Sequence, residues 1–153
     1  MEKIASFTVN HDRLGTGMYI SRIDGDVVTY DIRMKKPNGG DYLGNGELHT
    51  IEHLFATYAR NSELSGDVIY VGPMGCRTGF YLLLRDRVSH RQAISLVQES
   101  FRFIADFEGE IPGSKKEECG NYLEHDLPKA KETAEKMLAV LENYSEENLK
   151  YKE

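Results

Sequence analysis

The chain has 153 residues, of which 40% are hydrophobic and 29% charged, a composition typical of one globular domain with an ordinary core and surface. Its formal net charge of −6 argues against a nucleic-acid-binding protein, which normally presents a basic surface. No apolar run is long enough to span a membrane, and the first residues lack the apolar stretch of a signal peptide. We therefore expect a cytoplasmic protein with a single domain over residues 1–153.

Strands are predicted to dominate the first part of the chain. A weak alternation near residues 3–9 predicts one strand, and MYISRI predicts a second that ends at the turn DGD. The clearest strand covers residues 27–34, where Asp31 and Arg33 lie on one face and Tyr30 lies on the other. The glycine-rich loop KKPNGGDYLGNG then separates these strands from a helix.

Two helices and a further pair of strands are predicted in the middle of the chain. The first helix runs from about Glu47 to Arg60. Its core-facing residues are predicted to be Leu48, Ile51, Phe55 and Tyr58. The segments DVIYVG and TGFYLLLR predict two buried strands on either side of the turn GPMGC. Ser89 and Gln92 form a capping-box pattern that opens a second helix from about His90 to Asp106.

The last part of the chain is predicted to contain a loop, a helix and a charged end. Residues 111–120 form a polar loop, and Asp126 with Pro128 marks the start of the final helix. The inward residues of this helix are predicted to be Met137, Leu138, Val140 and Leu141. The charged tail SEENLKYKE is expected to fray. Because helices and strands do not alternate regularly, we predict an α+β fold with a mainly antiparallel β-sheet packed against helices.

The segment HTIEH places two histidines and a glutamate on the first predicted helix. Residues four apart on a helix project side by side, so His49 and His53 can both bind one divalent ion. Glu52 lies near the same edge, where it can act as a general acid or base beside a metal-polarised group. The pattern also occurs in inverted zinc peptidases and arises by chance on amphipathic helices, so three interpretations stay open at this point.

The two cysteines extend this candidate site. Cys119 lies in the polar loop KKEECG, and a thiolate with two imidazoles suits zinc or ferrous iron with one position open. A peptidase would instead take a downstream glutamate, for which the candidates are Glu99, Glu108, Glu117 and Glu118. Cys76 follows GPMG in a tight turn, where it is either a small buried residue or an exposed acid or base. Without an export signal, free thiols are expected rather than a disulfide.

Five segments in matching order resemble the S-ribosylhomocysteine lyase (LuxS) family over almost the whole chain. The segments are SFTVNH, YDIRMKKPN, HTIEHLFATYARN, VGPMGCRTGFY and EIPGSKKEECGNYLEHDLPKAK. The resemblance implies a lyase that cleaves S-ribosylhomocysteine to homocysteine and 4,5-dihydroxypentane-2,3-dione by carbonyl migration and β-elimination. The dione is the precursor of autoinducer-2 signals in quorum sensing, and the same step serves the activated methyl cycle of methionine metabolism.

The resemblance also implies a metal site and a catalytic pair. The ligands would be His49, His53 and Cys119, and they would hold one divalent metal per subunit. That metal is ferrous iron in the family, and zinc or cobalt can replace it. The catalytic residues would be Glu52 and Cys76.

The substrate contacts and the assembly are implied in the same way. Ser6, His11 and Arg33 match family positions that contact the substrate, although Arg33 can instead form an ion pair with Asp31. The family is a homodimer with active sites at the subunit interface, which would bring the N-terminal segment to the neighbour's pocket. Tyr70 stands where some relatives carry an acidic residue, a difference that concerns homocysteine recognition.

Two other functions are compatible with the residues alone. A small HxxEH metallopeptidase requires a glutamate as third ligand and needs neither cysteine. A metal-stabilised structural domain requires a closed site with four protein ligands and no open position. His90 and His125 are expected to be solvated residues that flank helices.

Overall fold

The protein is described here by a computed structural model covering residues 1–152. One four-stranded sheet, entirely antiparallel, has the spatial order β1–β2–β4–β3. The strands are β1 (Gly17–Asp24), β2 (Val27–Arg33), β3 (Val68–Pro73) and β4 (Gly79–Arg85). The α-helices are α1 (Ala5–Thr8), α2 (Asn45–Asn61), α3 (His90–Asp106) and α4 (Leu127–Val140). The predicted α+β class with an antiparallel sheet is confirmed.

Helix α2 packs against β3, helices α3 and α4 pack against α2 and against each other, and the core lies between the sheet and these helices. Tyr30 and Phe80 of the central strands are fully buried. Phe55 of α2 packs between Phe80 and Phe101 of α3, with ring centroids 6.3 and 5.5 Å away. Burying aromatic side chains of this size contributes roughly 2–3 kcal/mol each, so this contact is a main source of stability for the helix that bears HTIEH.

Local sequence signals account for the two long helices. The Ser89 side chain accepts a hydrogen bond from the Gln92 backbone, and the Gln92 side chain accepts one from the Ser89 backbone, so the predicted capping box is confirmed. In α2, Ile51 and Phe55 are buried as predicted, whereas Leu48 and Tyr58 are only partly buried. This arrangement leaves His49, Glu52 and His53 partly accessible on the other edge of the helix.

The predictions for residues 3–9 and for Val140 were wrong. The segment predicted as a strand near residues 3–9 forms the short helix α1, whose residues are not buried. Its alternation is too short to distinguish a strand from one helical turn. Val140, predicted to face inward, is 36% exposed, because the chain leaves the helix at Leu141 and turns back over the sheet.

The tail was predicted to fray and is instead docked. Leu149 is fully buried, and the residues before it form a short 3-10 helix, Glu146–Leu149. The Tyr144 hydroxyl accepts a hydrogen bond from the Met18 backbone N–H and donates one to the Met18 carbonyl, at 2.9 and 2.7 Å. The tail therefore packs beside β1. Among the described residues, no helix combines the length and apolarity needed to cross a membrane.

Candidate metal centre and active site

Helix α2 presents His49 and His53 side by side, as their spacing predicts. Their ring centroids are 4.6 Å apart and the rings are nearly perpendicular, at 88°. Each Nδ1 donates a hydrogen bond to a backbone carbonyl, His49 to Glu124 and His53 to Pro112, both at 2.8 Å. Because a carbonyl only accepts, both protons reside on Nδ1 and both Nε2 atoms keep a free lone pair. Such second contacts are typical of metal-binding histidines.

The loop before α4 brings Cys119 to these two nitrogens. The Cys119 Sγ lies 3.3 Å from His49 Nε2 and 3.9 Å from His53 Nε2. A tetrahedral ion with ligand bonds of about 2.0–2.3 Å separates its ligand atoms by about 3.3–3.8 Å. The three side chains therefore match a divalent metal such as iron or zinc in both spacing and donor type.

A glycine permits part of this geometry. Gly113 has a φ of +71°, and a Cβ there would meet His53 Nδ1 at 3.2 Å. Any larger residue would be strained and would press on the histidine ring. Gly113 thus lets the Pro112 carbonyl reach His53 and fix the orientation of its ring.

His125 joins the same cluster, although it was predicted to be a solvated residue beside a helix. Ligand-type atoms of His49, His53, Cys119 and His125 all lie within 4.8 Å of one another. Thr50 Oγ1 contacts His125 Nδ1 at 3.0 Å and also accepts a hydrogen bond from the Asp126 backbone N–H. The His125 Nε2 is buried and has no hydrogen-bond partner among the described residues. Burial and the neighbouring His49 and His53 lower the pKa of His125.

The orientation of His125 differs from that of the other two rings. It stacks on His49, with centroids 4.1 Å apart and an interplanar angle of 17°. An imidazole lone pair lies in the plane of its ring, so the lone pairs of parallel rings run side by side and do not converge on one ion. The perpendicular pair His49 and His53 has the converging arrangement, and His125 packs against it as a side wall.

Glu52 lies next to His53 at an open cavity. It is partly buried, as expected for a carboxylate at the edge of the metal cluster. The cavity has a volume of about 380 Å³ and is lined by residues from α2, β3 and the loop at Gly113, among them Glu52, His53, Arg60 and Tyr70. Tyr70 is 53% exposed at this cavity. A small polar ligand can therefore reach Glu52 from solvent.

Cys76 forms a second group with Thr78 and Arg33. Cys76 is an exposed free thiol in the turn between β3 and β4. Its Sγ lies 3.1 Å from Thr78 Oγ1 and 3.9 Å from Arg33 Nη1, and Arg33 Nη1 donates to Thr78 Oγ1 at 2.7 Å. Since Thr78 accepts from Arg33, its hydroxyl proton is free to point at the sulfur. A positively charged group and a hydrogen-bond donor therefore lie next to the Cys76 sulfur.

Arg33 forms the ion pair with Asp31 that was considered for it. Its side chain is 3% exposed and forms a two-point ion pair with Asp31, at 2.7 and 3.1 Å. Burial alone lowers the pKa of Arg33, but the hydrogen bonds and negative charge of Asp31 outweigh it and raise that pKa. The remaining nitrogen is directed at Thr78 and Cys76. No hydrogen bond among residues 1–152 joins this group to the histidine cluster.

The two N-terminal residues expected to contact substrate stand apart from both groups. Ser6 lies in α1, and His11 Nδ1 pairs with the Val9 carbonyl at 2.8 Å. In the part of the chain that is described, no hydrogen bond connects this segment to the metal cluster or to Cys76. Ile4 and Phe7 of the same segment are 59% and 67% exposed. Exposed large apolar side chains so close together are typical of a contact surface.

Comparison with known proteins gives a consistent result. The family model S-Ribosylhomocysteinase (LuxS) matches residues 4–148. S-ribosylhomocysteine lyases of Phocaeicola vulgatus and Porphyromonas gingivalis are 53% and 55% identical to this chain, each over 99% of it and over 98% and 99% of their own length. The S-ribosylhomocysteine lyase of Clostridium acetobutylicum is 51% identical over the full length of both chains. The protein belongs to the S-ribosylhomocysteinase (LuxS) family.

Proposed function

We propose that this protein is a metal-dependent lyase that cleaves S-ribosylhomocysteine to homocysteine and 4,5-dihydroxypentane-2,3-dione. The main support is the convergence of His49, His53 and Cys119 in a chain whose full-length relatives are named S-ribosylhomocysteine lyases. The product dione would be the precursor of autoinducer-2 signals. The whole chain would act as one domain in the cytoplasm, where small metabolites of this kind are processed.

One divalent metal per subunit is proposed, held by His49, His53 and Cys119. Ferrous iron is the proposed resident metal, and zinc or cobalt would substitute because both accept thiolate and imidazole ligands. When bound, the ion supplies Lewis-acid stabilisation of negative charge on a substrate oxygen. His125 would hold the plane of His49 by stacking on it. Its buried Nε2 would be available to hydrogen-bond a group at the open position.

Glu52 and Cys76 are proposed to move the protons. The thioether is not activated in the sugar, so the carbonyl must first migrate along the ribose chain until it stands β to the carbon that carries sulfur. Each migration takes a proton from one carbon and returns it to the next, a task for a positioned base that becomes the acid. A final base removes an α-proton, and homocysteine leaves as its thiolate. No water is consumed, so the reaction is an elimination and not a hydrolysis.

The local surroundings suit these two roles. Glu52 faces the open cavity beside His53, where substrate can approach it. Cys76 faces the guanidinium of Arg33 and the hydroxyl of Thr78, so its sulfur lies among polar groups at an exposed turn. Arg33 would also contact the substrate, because it lies beside Cys76.

A homodimer with shared active sites is proposed to complete the substrate pocket. Among the described residues, His11 pairs with the nearby Val9 carbonyl, and no hydrogen bond joins Ser6 or His11 to the histidine cluster or to Cys76 of the same chain. The exposed Ile4 and Phe7 would be covered by the partner subunit. In this arrangement the N-terminal segment would deliver Ser6 and His11 to the neighbouring pocket.

The two rival functions are less well supported. An HxxEH peptidase needs a glutamate as third ligand, but the side chain that approaches both histidines is Cys119. A structural metal site needs four converging ligands, and the parallel stacking of His125 on His49 does not provide the fourth.

The proposed roles of Glu52 and Cys76 are tested by separating metal binding from turnover. We expect Glu52→Gln and Cys76→Ala to bind one metal per chain and to lose at least about 10²-fold in turnover, the usual contribution of a positioned acid or base. Metal content is measured after loading under anaerobic conditions, and thiol release from S-ribosylhomocysteine is followed in the same samples. Full activity in either variant would refute the proposed pair.

A further inference from the structure

The docked C-terminal segment contacts the ion pair that lies behind Cys76. The Tyr151 hydroxyl donates a hydrogen bond to Asp31 Oδ2 at 2.8 Å. Asp31 is 1% exposed and holds Arg33 through two hydrogen bonds, and Arg33 in turn reaches Thr78 and Cys76. A continuous chain of polar contacts therefore leads from the last residues of the protein to the turn that carries the thiol.

The sheet explains why Tyr151 occupies this position. Tyr19 of β1 lies directly opposite Asp31 of β2 in the strand register. The Tyr151 ring stacks on Tyr19 with centroids 5.1 Å apart and an interplanar angle of 22°. The stacking places the Tyr151 hydroxyl beside the Asp31 carboxylate. Because this carboxylate is buried away from water, it needs hydrogen-bond donors from the protein. Burial, together with the charge of Asp31, raises the pKa of Tyr151, so its hydroxyl remains a donor through the neutral range.

We propose that Tyr151 is a positioning residue for Cys76 that acts through Asp31 and Arg33. Its O–H dipole offsets part of the negative charge of Asp31, and this leaves more of the positive field of Arg33 for the sulfur. The hydroxyl also satisfies an oxygen of Asp31, which holds the carboxylate and hence the guanidinium in one orientation. Through this chain of contacts, docking of the C-terminal segment sets the reactivity of the thiol.

The relevance of this coupling to catalysis rests on the proposed function, in which Cys76 transfers protons. The coupling itself does not, because the reactivity of a thiol can be measured without substrate. Loss of thiol release in Cys76→Ala tests the catalytic role, whereas alkylation of Cys76 tests the coupling. The two ideas can therefore fail separately.

The test compares Tyr151→Phe with Tyr144→Phe in the full-length, metal-loaded protein. Tyr151→Phe removes only the hydroxyl and keeps an aromatic ring to stack on Tyr19. Tyr144→Phe is the matched control, since it removes a tail hydroxyl that bonds the Met18 backbone and not Asp31. Alkylation of Cys76 by neutral iodoacetamide and by anionic iodoacetate is timed by mass spectrometry of the peptide that contains it.

We expect Tyr151→Phe to slow the alkylation of Cys76 by about threefold to tenfold. A rate change of this size corresponds to a fraction of the free energy of a charge-assisted hydrogen bond. The ratio of the iodoacetate rate to the iodoacetamide rate should also fall, because the positive field at the sulfur is weaker. General loosening of the tail would raise both rates and leave the ratio unchanged, which would count against the proposal. Unchanged rates in Tyr151→Phe would overturn it, and so would an equal slowing in Tyr144→Phe.

Discussion

At the scale of single residues, the metal centre is preorganised by backbone carbonyls. The carbonyls of Glu124 and Pro112 hold the Nδ1 protons of His49 and His53, which leaves both Nε2 atoms facing Cys119. Each carbonyl fixes a ring plane as well as a tautomer, so little reorganisation is needed when a metal binds. All three candidate donor atoms come from a single chain.

Replacement of Cys119 should remove the only sulfur ligand of this centre. Protein loaded with cobalt should show thiolate-to-cobalt charge-transfer absorption, and Cys119→Ala should lose it together with at least about tenfold in metal affinity. Cys76→Ala is the matched control, because it removes the other thiol and should keep the absorption. The assignment of ligands fails if the band survives in Cys119→Ala or disappears in Cys76→Ala.

Sequence spacing was informative about residues within one element and silent about residues brought together by the fold. The i, i+4 spacing on α2 predicts that His49 and His53 lie side by side, and they do. His125 was missed because it joins the cluster through tertiary contacts with Thr50 and His49. A histidine directly before the helix start Asp126–Pro128 carries no periodic signal, and proximity in space is the only clue to its place.

At the scale of secondary-structure elements, the hairpin of β3 and β4 carries the turn with Cys76, and its close pairing with β2 depends on glycine. A Cβ at Gly79 would overlap the carbonyl oxygen of Ile32 and approach the Arg33 Cα at 3.0 Å. Gly79 is the register partner of Arg33, so the same contact sets the distance between Arg33 and the turn with Cys76. Gly79 therefore constrains both the pairing of β2 with β4 and the surroundings of the Cys76 thiol.

Gly79→Ala should therefore destabilise the protein by about 1–3 kcal/mol, the usual cost of forcing extra volume into a packed site. Gly75→Ala is the control, because a Cβ at Gly75 has no heavy atom within 4 Å. Urea unfolding measures both changes in the free energy of unfolding. Equal stability of the two variants would show that β2 and β4 are not so closely paired at this point.

Elements with a strong local sequence signal were predicted correctly, and elements with a weak signal were not. Helix α3 was predicted with its bounds because Ser89 and Gln92 supply a reciprocal cap and its apolar period is long. The prediction of an N-terminal strand was wrong because a short stretch of weak alternation also suits one turn of helix. The tail was wrong because its charges suggested solvation, whereas its contacts come from Leu149 and Tyr151, which tertiary structure alone places against the sheet.

At the scale of the whole molecule, one chain contains both the histidine cluster and the Cys76 group. Among the described residues, no hydrogen bond links its N-terminal segment to either of them. The His11 side chain pairs with the nearby Val9 carbonyl, and the apolar Phe7 of the same segment is exposed. These features are what the proposed homodimer would use, with the segment of each subunit inserted into the pocket of the other. Isologous dimers of this type place each active site on both chains.

Complementation tests this arrangement directly. A Ser6→Ala, His11→Ala double variant and Cys76→Ala should each be nearly inactive alone. After verified subunit exchange, about half of the dimers are mixed and each has one intact site of two, so activity should return to about a quarter of that of the unmodified protein. Mixed dimers that stay inactive would place both sets of residues in the site of one chain.

The most direct measurement is the release of free thiol from S-ribosylhomocysteine by the unmodified protein, prepared anaerobically with one ferrous ion per chain. The proposed lyase predicts one homocysteine thiol and one 4,5-dihydroxypentane-2,3-dione for each substrate consumed, and no release by Cys76→Ala. Absence of thiol from protein shown to hold its metal would contradict the assignment of this chain as an S-ribosylhomocysteine lyase.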